Sequence, residues 1–153
     1  MRITANGYLY AERVYNAVWN DYAEFRATNK DIEPGYVVTE IGNGKMQLST
    51  KRLEAGAKVV SDTYGHAMGE TDECKTPIAV AGRVLVYTLE DRHSYKAGDC
   101  VCAGPDGKVS KMTRKEIIKW PDRIVGTVSE IPDYEEWGSE SIKVNGRIWI
   151  YVK

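Results

Sequence analysis

The residues with the clearest chemical potential form one short segment, Trp19-Asn20-Asp21-Tyr22-Ala23-Glu24-Phe25. The Asn20–Asp21 junction is chemically weak, because an Asn carboxamide can attack its own carbonyl and break the chain through a five-membered imide. Asp21 and Glu24 supply two carboxylates. One of them, desolvated among the aromatic residues, would have a raised pKa and act as an acid, while the other activates water or the attacking group. The segment indicates either self-cleavage or an ordinary aromatic strand with two edge carboxylates.

Other candidate motifs are incomplete. Gly42-Asn43-Gly44-Lys45 resembles part of a phosphate loop, but Met46 follows the lysine where that motif needs Ser or Thr. His66 is predicted in a strand and His93 in a charged loop, with no Ser or Cys placed beside either. Three cysteines without C-x-x-C spacing and two histidines are too few for a zinc site. The sequence therefore predicts no metal, no cofactor and a reducing compartment.

Composition and charge restrict the class of protein. The chain has 153 residues, of which 42% are hydrophobic and 28% charged, which suits one domain or two very small ones. A net charge of −1 disfavours nucleic acid and anionic membrane surfaces as partners, because both need a basic face. No apolar run approaches the roughly 20 residues that span a bilayer. Ten Tyr and four Trp against one Phe suit half-buried strands and subunit interfaces, with carbohydrate binding as an alternative.

An internal repeat organises most of the chain. Residues 78–87 and 142–151 share the pattern I-x-V-x-G-R-[VI]-x-[VI]-Y, which predicts a strand that closes each repeat. Before it, each half reads as short strands joined by turns such as Gly-Asn-Gly-Lys and Pro-Asp-Gly-Lys. We therefore expect a mainly β, compact barrel-like domain built from two similar halves, residues 33–88 and 96–152.

One short helix interrupts the predicted strands. Residues 113–119 have a helical pattern, with Thr113 as the N-cap and Glu116 completing a capping box. Pro121 then ends the helix.

The N-terminal residues lie outside the repeat. Residues 3–10 contain an Asn-Gly turn between alternating residues, which predicts a small hairpin. Such a hairpin is marginally stable alone and would make sense as the trailing end of a larger β-structure. We therefore divide the chain into an N-terminal extension with the cleavage segment, residues 1–32, and a β domain, residues 33–153.

Several of these segments together resemble the peptidase G2 family. Members of that family are C-terminal intramolecular chaperones of phage neck appendages and tail spikes, which help three copies of a β-rich spike to register and fold and then cut themselves off. The resemblance implies a homotrimer, a partner in the upstream spike region of the same chain, and a virion-associated precursor folded in the cytoplasm of the bacterial host. It extends from about Tyr15 to the C-terminus and rests mainly on residues 18–26, 60–65, 75–84, 121–130 and 143–149.

The resemblance also implies a cleavage site. The family's cut falls just before the Asp of an Asp-x-x-Glu motif, which corresponds here to the Asn20–Asp21 bond. Asp21 and Glu24 are then the acidic residues, with Glu24 as general acid or base, and Asn20 completes the candidate catalytic set. The chemical route stays open between Asn imide formation and carboxylate-activated water. The alternative function is a non-catalytic trimeric β module of a phage fibre.

Overall fold

The computed structural model of this chain describes the backbone of residues 2–3 and 9–10 and all of residues 20–153. The strands β1 (Arg2–Ile3) and β2 (Leu9–Tyr10) pair in an antiparallel arrangement. This pairing confirms two paired segments where the sequence predicts a hairpin, while the Asn-Gly turn between them lies outside the described residues. Trp19, at the start of the candidate segment, also lies outside them.

Strands dominate the rest of the chain. In chain order they are β3 (Asp21–Thr28), β4 (Val37–Gly42), β5 (Lys45–Leu48), β6 (Lys58–Val60), β7 (Tyr64–Met68), β8 (Thr76–Val86), β9 (Cys100–Ala103), β10 (Val109–Lys111), β11 (Ile124–Glu130), β12 (Glu136–Trp137), β13 (Ile142–Lys143) and β14 (Ile148–Val152). β12 and β13 form a separate antiparallel pair. The other ten strands form one mixed sheet in the order β10-β9-β11-β14-β8-β6-β4-β5-β3-β7.

The arrangement of the sheet corrects the expectation of a compact barrel. β3 also pairs with β8, so that β3, β8, β6, β4 and β5 are hydrogen-bonded in a ring, but five further strands extend from it. The fold is mainly β with one short helix, as the sequence indicates, and it is not a clear barrel. The reason is the length of β8, whose 11 residues pair with β3 and β6 at one end and with β14 at the other. The homotrimer and the similarity of the two halves stay predictions.

The two copies of the I-x-V-x-G-R pattern adopt different structures. In the first copy the chain continues through β8 without interruption. In the second copy a turn at Asn145 and Gly146, with φ of 52° and 74°, separates β13 from β14. Asn tolerates a positive φ, whereas alanine, which occupies the corresponding position 81 of the first copy, would adopt one only at greater cost. The prediction of one closing strand is therefore confirmed for the first copy and wrong for the second.

Apolar side chains of seven neighbouring strands of the sheet, from β10 to β4, form the main core together with Tyr95. β8 and β14 contribute buried residues to both of their faces, since Leu85 and Trp149 pack with Val144 on the side away from the main core. Burial on both faces explains why these strands read as nearly continuous apolar runs. The main core contains Val37, Val59, Ala79, Val84, Val86, Tyr95, Val101, Ala103, Val109, Val125, Val128, Ile148 and Ile150.

The predicted helix is confirmed as α1 (Arg114–Lys119). The Thr113 hydroxyl accepts a hydrogen bond from the Glu116 N–H at 3.2 Å, and the helix ends at Trp120 before a proline. Within the described ranges, no helix is long and apolar enough to cross a membrane. The three cysteines are free, and Cys102 is buried.

The domain boundary predicted at residue 32 stays a prediction. β3 lies before that boundary, yet it pairs with three strands that lie after it, namely β5, β7 and β8. The candidate cleavage segment is therefore held inside the large sheet.

Candidate active site

Strand β3 determines which candidate side chains can meet. Side chains of a strand alternate between its two faces, and along β3 Asp21 and Ala23 are buried whereas Tyr22 and Glu24 are exposed. Asp21 and Glu24 are three residues apart and therefore point to opposite faces. The structure does not bring the two carboxylates together within one chain.

Asp21 is the desolvated carboxylate. Its side chain is 4% exposed, and its Oδ1 accepts a hydrogen bond from the Thr63 hydroxyl at 2.7 Å. Ser61 supports Thr63, because the Thr63 N–H donates to the Ser61 hydroxyl at 3.0 Å and the two hydroxyl oxygens are 3.4 Å apart. Burial raises the pKa of Asp21 to about 6, with a smaller contribution from the charge of Asp62, although hydrogen bonds from Thr63 and Ser61 lower it.

The Asn20 peptide is held by neighbouring main chains. The Asn20 N–H donates to the Thr63 carbonyl at 3.3 Å, and the Asn20 carbonyl accepts from the Arg83 N–H at 2.9 Å. Asn20 is half-buried, and its Nδ2 has no hydrogen-bond partner. Both edges of the Asn20 backbone are therefore fixed while its carboxamide nitrogen is not.

Two buried polar atoms without a partner mark this site. Among the side chains of residues 20–153, the buried atoms that lack a hydrogen bond are Asn20 Nδ2 and Asp21 Oδ2. Such an atom costs about 1–3 kcal/mol of stability, so folded proteins rarely keep one without a reason. Here both atoms belong to the two residues that flank the candidate bond.

Gly82 allows β8 to approach this bond closely. Its φ is 99°, and a Cβ at this position would overlap the Asn20 carbonyl oxygen and lie 2.9 Å from the Asp21 Cα. A glycine is therefore required on two grounds, its backbone conformation and its contact. The glycine of the I-x-V-x-G-R pattern is visible in the sequence, but its contact with the Asn20 carbonyl is not.

The exposed face of β3 forms a second surface. Tyr22 is 57% exposed and its ring meets the edge of His66 with the centroids 5.8 Å apart. Glu24 is paired with Met68 across the β3–β7 ladder, and Met68 is 53% exposed. Tyr22 therefore does not desolvate Asp21, which is instead enclosed by main chain and by small hydroxyl side chains.

An ion pair anchors the loop that carries Ser61 and Thr63. Arg147 donates two hydrogen bonds of 2.9 Å to the two carboxylate oxygens of Asp62, and Arg147 is 2% exposed. A neighbouring open cavity of about 490 Å³ gives solvent a path to this loop. It is lined by Ser61, Asp62, Tyr64, Gly65, Pro77 and Glu140.

The sequence predicted Asn20, Asp21 and Glu24 as site residues, which stays a prediction, and it assigned no role at the site to Ser61, Thr63 or Gly82. Nothing in the spacing along the chain predicts that Thr63, 42 residues from Asp21, donates to its carboxylate. Within the described part of the chain, no group of three or more His, Cys, Asp or Glu residues could hold a metal ion.

Comparison with solved structures shows that the fold is similar to that of the C-terminal part of a bacteriophage protein. One similar structure is the C-terminal fragment of bacteriophage phi29 gene product 12, with a TM-score of 0.55 and 16% identity over 86% of this chain and 98% of the fragment. Another is the pre-mature form of phi29 gene product 12, with a TM-score of 0.62 and 18% identity over 96% of this chain. This chain spans 23% of that longer protein.

These similarities show the fold alone, because the identities are low. No protein-family model matches the chain. No curated protein matches it by sequence. The resemblance to the peptidase G2 family is therefore not confirmed.

Proposed function

We propose that this chain is the C-terminal intramolecular chaperone of a phage tail spike or appendage. In this proposal it promotes trimerisation and folding of the spike and then removes itself by cutting the Asn20–Asp21 bond. The observation that carries the proposal is the pair of buried, unpartnered polar atoms on Asn20 and Asp21. The similarity of fold to a C-terminal fragment, and to a protein described as pre-mature, supports a domain present before maturation.

The protonation state of Asp21 fits the breaking of this bond. A carboxyl with a pKa of about 6 holds its proton in roughly a tenth of the molecules at pH 7, far more than an ordinary Asp, and can donate it. In either route a nucleophile adds to the Asn20 carbonyl carbon, the bond to the Asp21 nitrogen breaks, and that nitrogen leaves as an amine after taking a proton. The nucleophile is water in one route and the Asn20 Nδ2 in the other, which forms the imide and gives up a proton.

The main chain around the bond supplies a second element of catalysis. Negative charge develops on the Asn20 carbonyl oxygen when the nucleophile adds. The Arg83 N–H already lies 2.9 Å from that oxygen and is fixed by the β3–β8 pairing. A preorganised donor of this kind stabilises the developing charge.

Glu24 requires a second chain for the role proposed for it. It lies on the exposed face of β3, whereas Asp21 of the same chain is buried on the other face. In a homotrimer, Glu24 of one chain would act at the Asn20–Asp21 bond of a neighbour. Cleavage would then depend on assembly, which makes it a check that three chains have met correctly.

Such a domain has a clear physical purpose. Spike β-structures have many long-range contacts and fold slowly, with strand edges that invite wrong pairing. A C-terminal trimer aligns the three chains and raises their effective concentration. Cleavage after folding removes the aligning domain, so that the mature, virion-associated spike is kinetically trapped.

Intact-mass spectrometry and N-terminal sequencing of the purified chain test the proposal. We expect a fragment that begins at Asp21 and ends at Lys153, with a trimer mass by analytical ultracentrifugation. The N-terminal peptide would be lighter by one water if it ends in an imide. A trimer in which the Asn20–Asp21 bond stays intact, both alone and fused to its upstream spike, would instead establish the non-catalytic β module.

A further inference from the structure

We infer that Thr63 is a positioning residue for the proposed cleavage, because it holds both sides of the Asn20–Asp21 bond. Its carbonyl accepts the Asn20 N–H at 3.3 Å, and its hydroxyl donates to Asp21 Oδ1 at 2.7 Å. Thr63 is itself fully buried. The consequence for catalysis rests on the proposed function, whereas the effect of Thr63 on the Asp21 carboxyl does not.

The hydrogen bond from Thr63 determines where Asp21 carries its proton. Oδ1 is occupied by the Thr63 O–H, so the proton of the neutral acid lies on Oδ2. The opposite arrangement, with a proton on Oδ1 that donates to Thr63, would turn the Thr63 hydroxyl toward Ser61. That contact is 3.4 Å, much longer than the 2.7 Å contact with Asp21. Asp21 Oδ2 has no hydrogen-bond partner. It belongs to the same residue as the leaving nitrogen, which must take up a proton when the Asn20–Asp21 bond breaks.

Ser61 orients Thr63 through a hydrogen bond. The Ser61 oxygen accepts the Thr63 N–H at 3.0 Å, and the Ser61 N–H donates to the Pro77 carbonyl at 2.9 Å. Ser61 is buried and fixed to β8 at the same time. The three side chains thus form a buried row in which Ser61 positions Thr63 and Thr63 positions Asp21.

Among the described residues, few groups lie close enough to Asp21 to change its pKa. Strand β8 contributes Gly82 opposite Asp21, and β7 contributes Tyr64. The loop before β7 contributes Ser61, Thr63 and the charge of Asp62, which is itself paired with Arg147. Of these groups only Thr63 and Ser61 lower the pKa of Asp21 by hydrogen bonding.

The test compares Thr63→Val, which removes the hydroxyl and keeps the shape, with Thr63→Ser, which keeps the hydroxyl. The matched control is Thr39→Val, because Thr39 is also buried and donates to a carboxylate, that of Glu54 at 3.2 Å. The Asp21 carboxyl is titrated by carbon-detected NMR in the whole chain, in a Glu24→Gln background that keeps the chain uncut. The rate of cleavage is measured against pH in the chains that retain Glu24.

We expect Thr63→Val to raise the Asp21 pKa by about one pH unit, since a hydrogen bond to the ionised form is lost. The decline of the cleavage rate at high pH should move upward by the same amount, with a maximum lower by roughly ten-fold or more, because the carboxyl is no longer fixed. Thr63→Ser should restore both properties, and Thr39→Val should change neither.

An Asp21 pKa in Thr63→Val equal to that of the parent chain would overturn the inference. If Thr63→Val does not fold, Ser61→Ala decides, with a smaller upward change expected and no change counting against the inference. Failure of the parent chain to cleave would contradict the proposed function and leave the NMR result for Thr63 standing. Cleavage with an unchanged pH profile in Thr63→Val would contradict the role of Thr63 alone.

Discussion

Gly82 packs so closely against the carbonyl group of Asn20 that a Cβ at position 82 would lie 2.2 Å from its oxygen. The N–H of the next residue, Arg83, donates to the same oxygen at 2.9 Å. Because the approach is this close, any side chain at position 82 must displace the peptide group that we propose is cut. The same pattern of residues occurs at Gly146, where a Cβ would meet no atom within 4 Å. The chain therefore contains its own control for the effect of a methyl group at this site.

We expect Gly82→Ala to lower the free energy of unfolding by about 2–4 kcal/mol, from backbone strain together with overpacking. Gly146→Ala carries the strain of a φ of 74° without the overlap and should cost about 1–2 kcal/mol. Urea denaturation of both variants measures the difference. Cleavage should slow in Gly82→Ala and not in Gly146→Ala. Equal losses of stability would contradict a special contact at Gly82.

Asp21→Asn should stabilise the chain at neutral pH and not at low pH. The folded pKa of about 6 lies above the ordinary value of 3.8, so the folded state binds the Asp21 proton more tightly than the unfolded state. The stability this provides is complete below pH 3.8 and is lost as the pH rises through 6. The stability of Asp21→Asn relative to the native chain should therefore rise by about 2.4 kcal/mol between pH 4 and pH 7, because pH 4 already lies slightly above the ordinary pKa of 3.8.

Urea denaturation across that pH range measures this difference, in which the titration of all other groups cancels. A difference between the two chains that is constant with pH would show that the Asp21 carboxyl titrates normally.

Glu24→Gln should block cleavage and leave folding intact. Glu24 is exposed, so the free energy of unfolding should change by less than about 0.5 kcal/mol. Loss of a general acid or base should slow cleavage by roughly a hundred-fold or more. Glu70→Gln, which changes an exposed carboxylate two residues beyond the end of β7, is the control and should cleave normally. Normal cleavage by Glu24→Gln would remove Glu24 from the mechanism.

Mixed assemblies test whether Glu24 acts on a neighbouring chain. Glu24→Gln chains refolded together with native chains should be cut, because a native neighbour supplies the carboxylate. Isotope labelling of the variant chain identifies its fragment by mass. Glu24→Gln chains that stay uncut beside cleaving native chains would place Glu24 and its target bond in the same chain.

Asp62→Ala should destabilise the chain far more than Glu40→Ala. Both carboxylates receive two hydrogen bonds from an arginine, but Arg147 is 2% exposed whereas the Arg26–Glu40 pair is open to solvent. Loss of Asp62 removes the counter-ion of a buried guanidinium, which keeps its hydrogen bonds to the Val144 and Lys143 carbonyls. We expect a cost of about 3 kcal/mol, against less than about 1 kcal/mol for the exposed pair. The Asp21 pKa should also fall in Asp62→Ala, because the charge of Asp62 raises it. Denaturation and NMR titration measure the two effects, and a similar cost for both variants would contradict the role of burial.

Local rules predicted the local structure well. The hydroxyl of Thr113 caps the helix as its position before a Glu at N3 indicates, and Asn43-Gly44 forms the turn between β4 and β5. The period of two in a strand also implies that Asp21 and Glu24 lie on opposite faces. The carboxylate pair predicted from their spacing therefore does not form within one chain.

Contacts between strands that are far apart in the sequence could not be predicted from the sequence. That Gly82 lies opposite Asp21, and that Thr63 supports it, follows from the order of strands in the sheet and from no feature of the local sequence. The same holds for the overall shape, because β8 joins both groups of strands into one sheet and the fold is therefore not a clear barrel. The turn in the second I-x-V-x-G-R copy, in contrast, is predictable from the sequence, because an Asn-Gly dipeptide favours a turn.

The ion pair between Asp62 and Arg147 has a consequence for the order of events during synthesis. The two residues are 85 positions apart, so the loop that supports Asp21 leaves the ribosome long before the guanidinium that anchors it. At roughly 5–20 residues per second, the delay lasts several seconds or more. During that interval a nascent chain holds Asp62 without its counter-ion and β8 without β14. A chain truncated before residue 147 cannot form the Asp62–Arg147 ion pair. The loop that supports Asp21 is therefore anchored only in a chain translated past that residue.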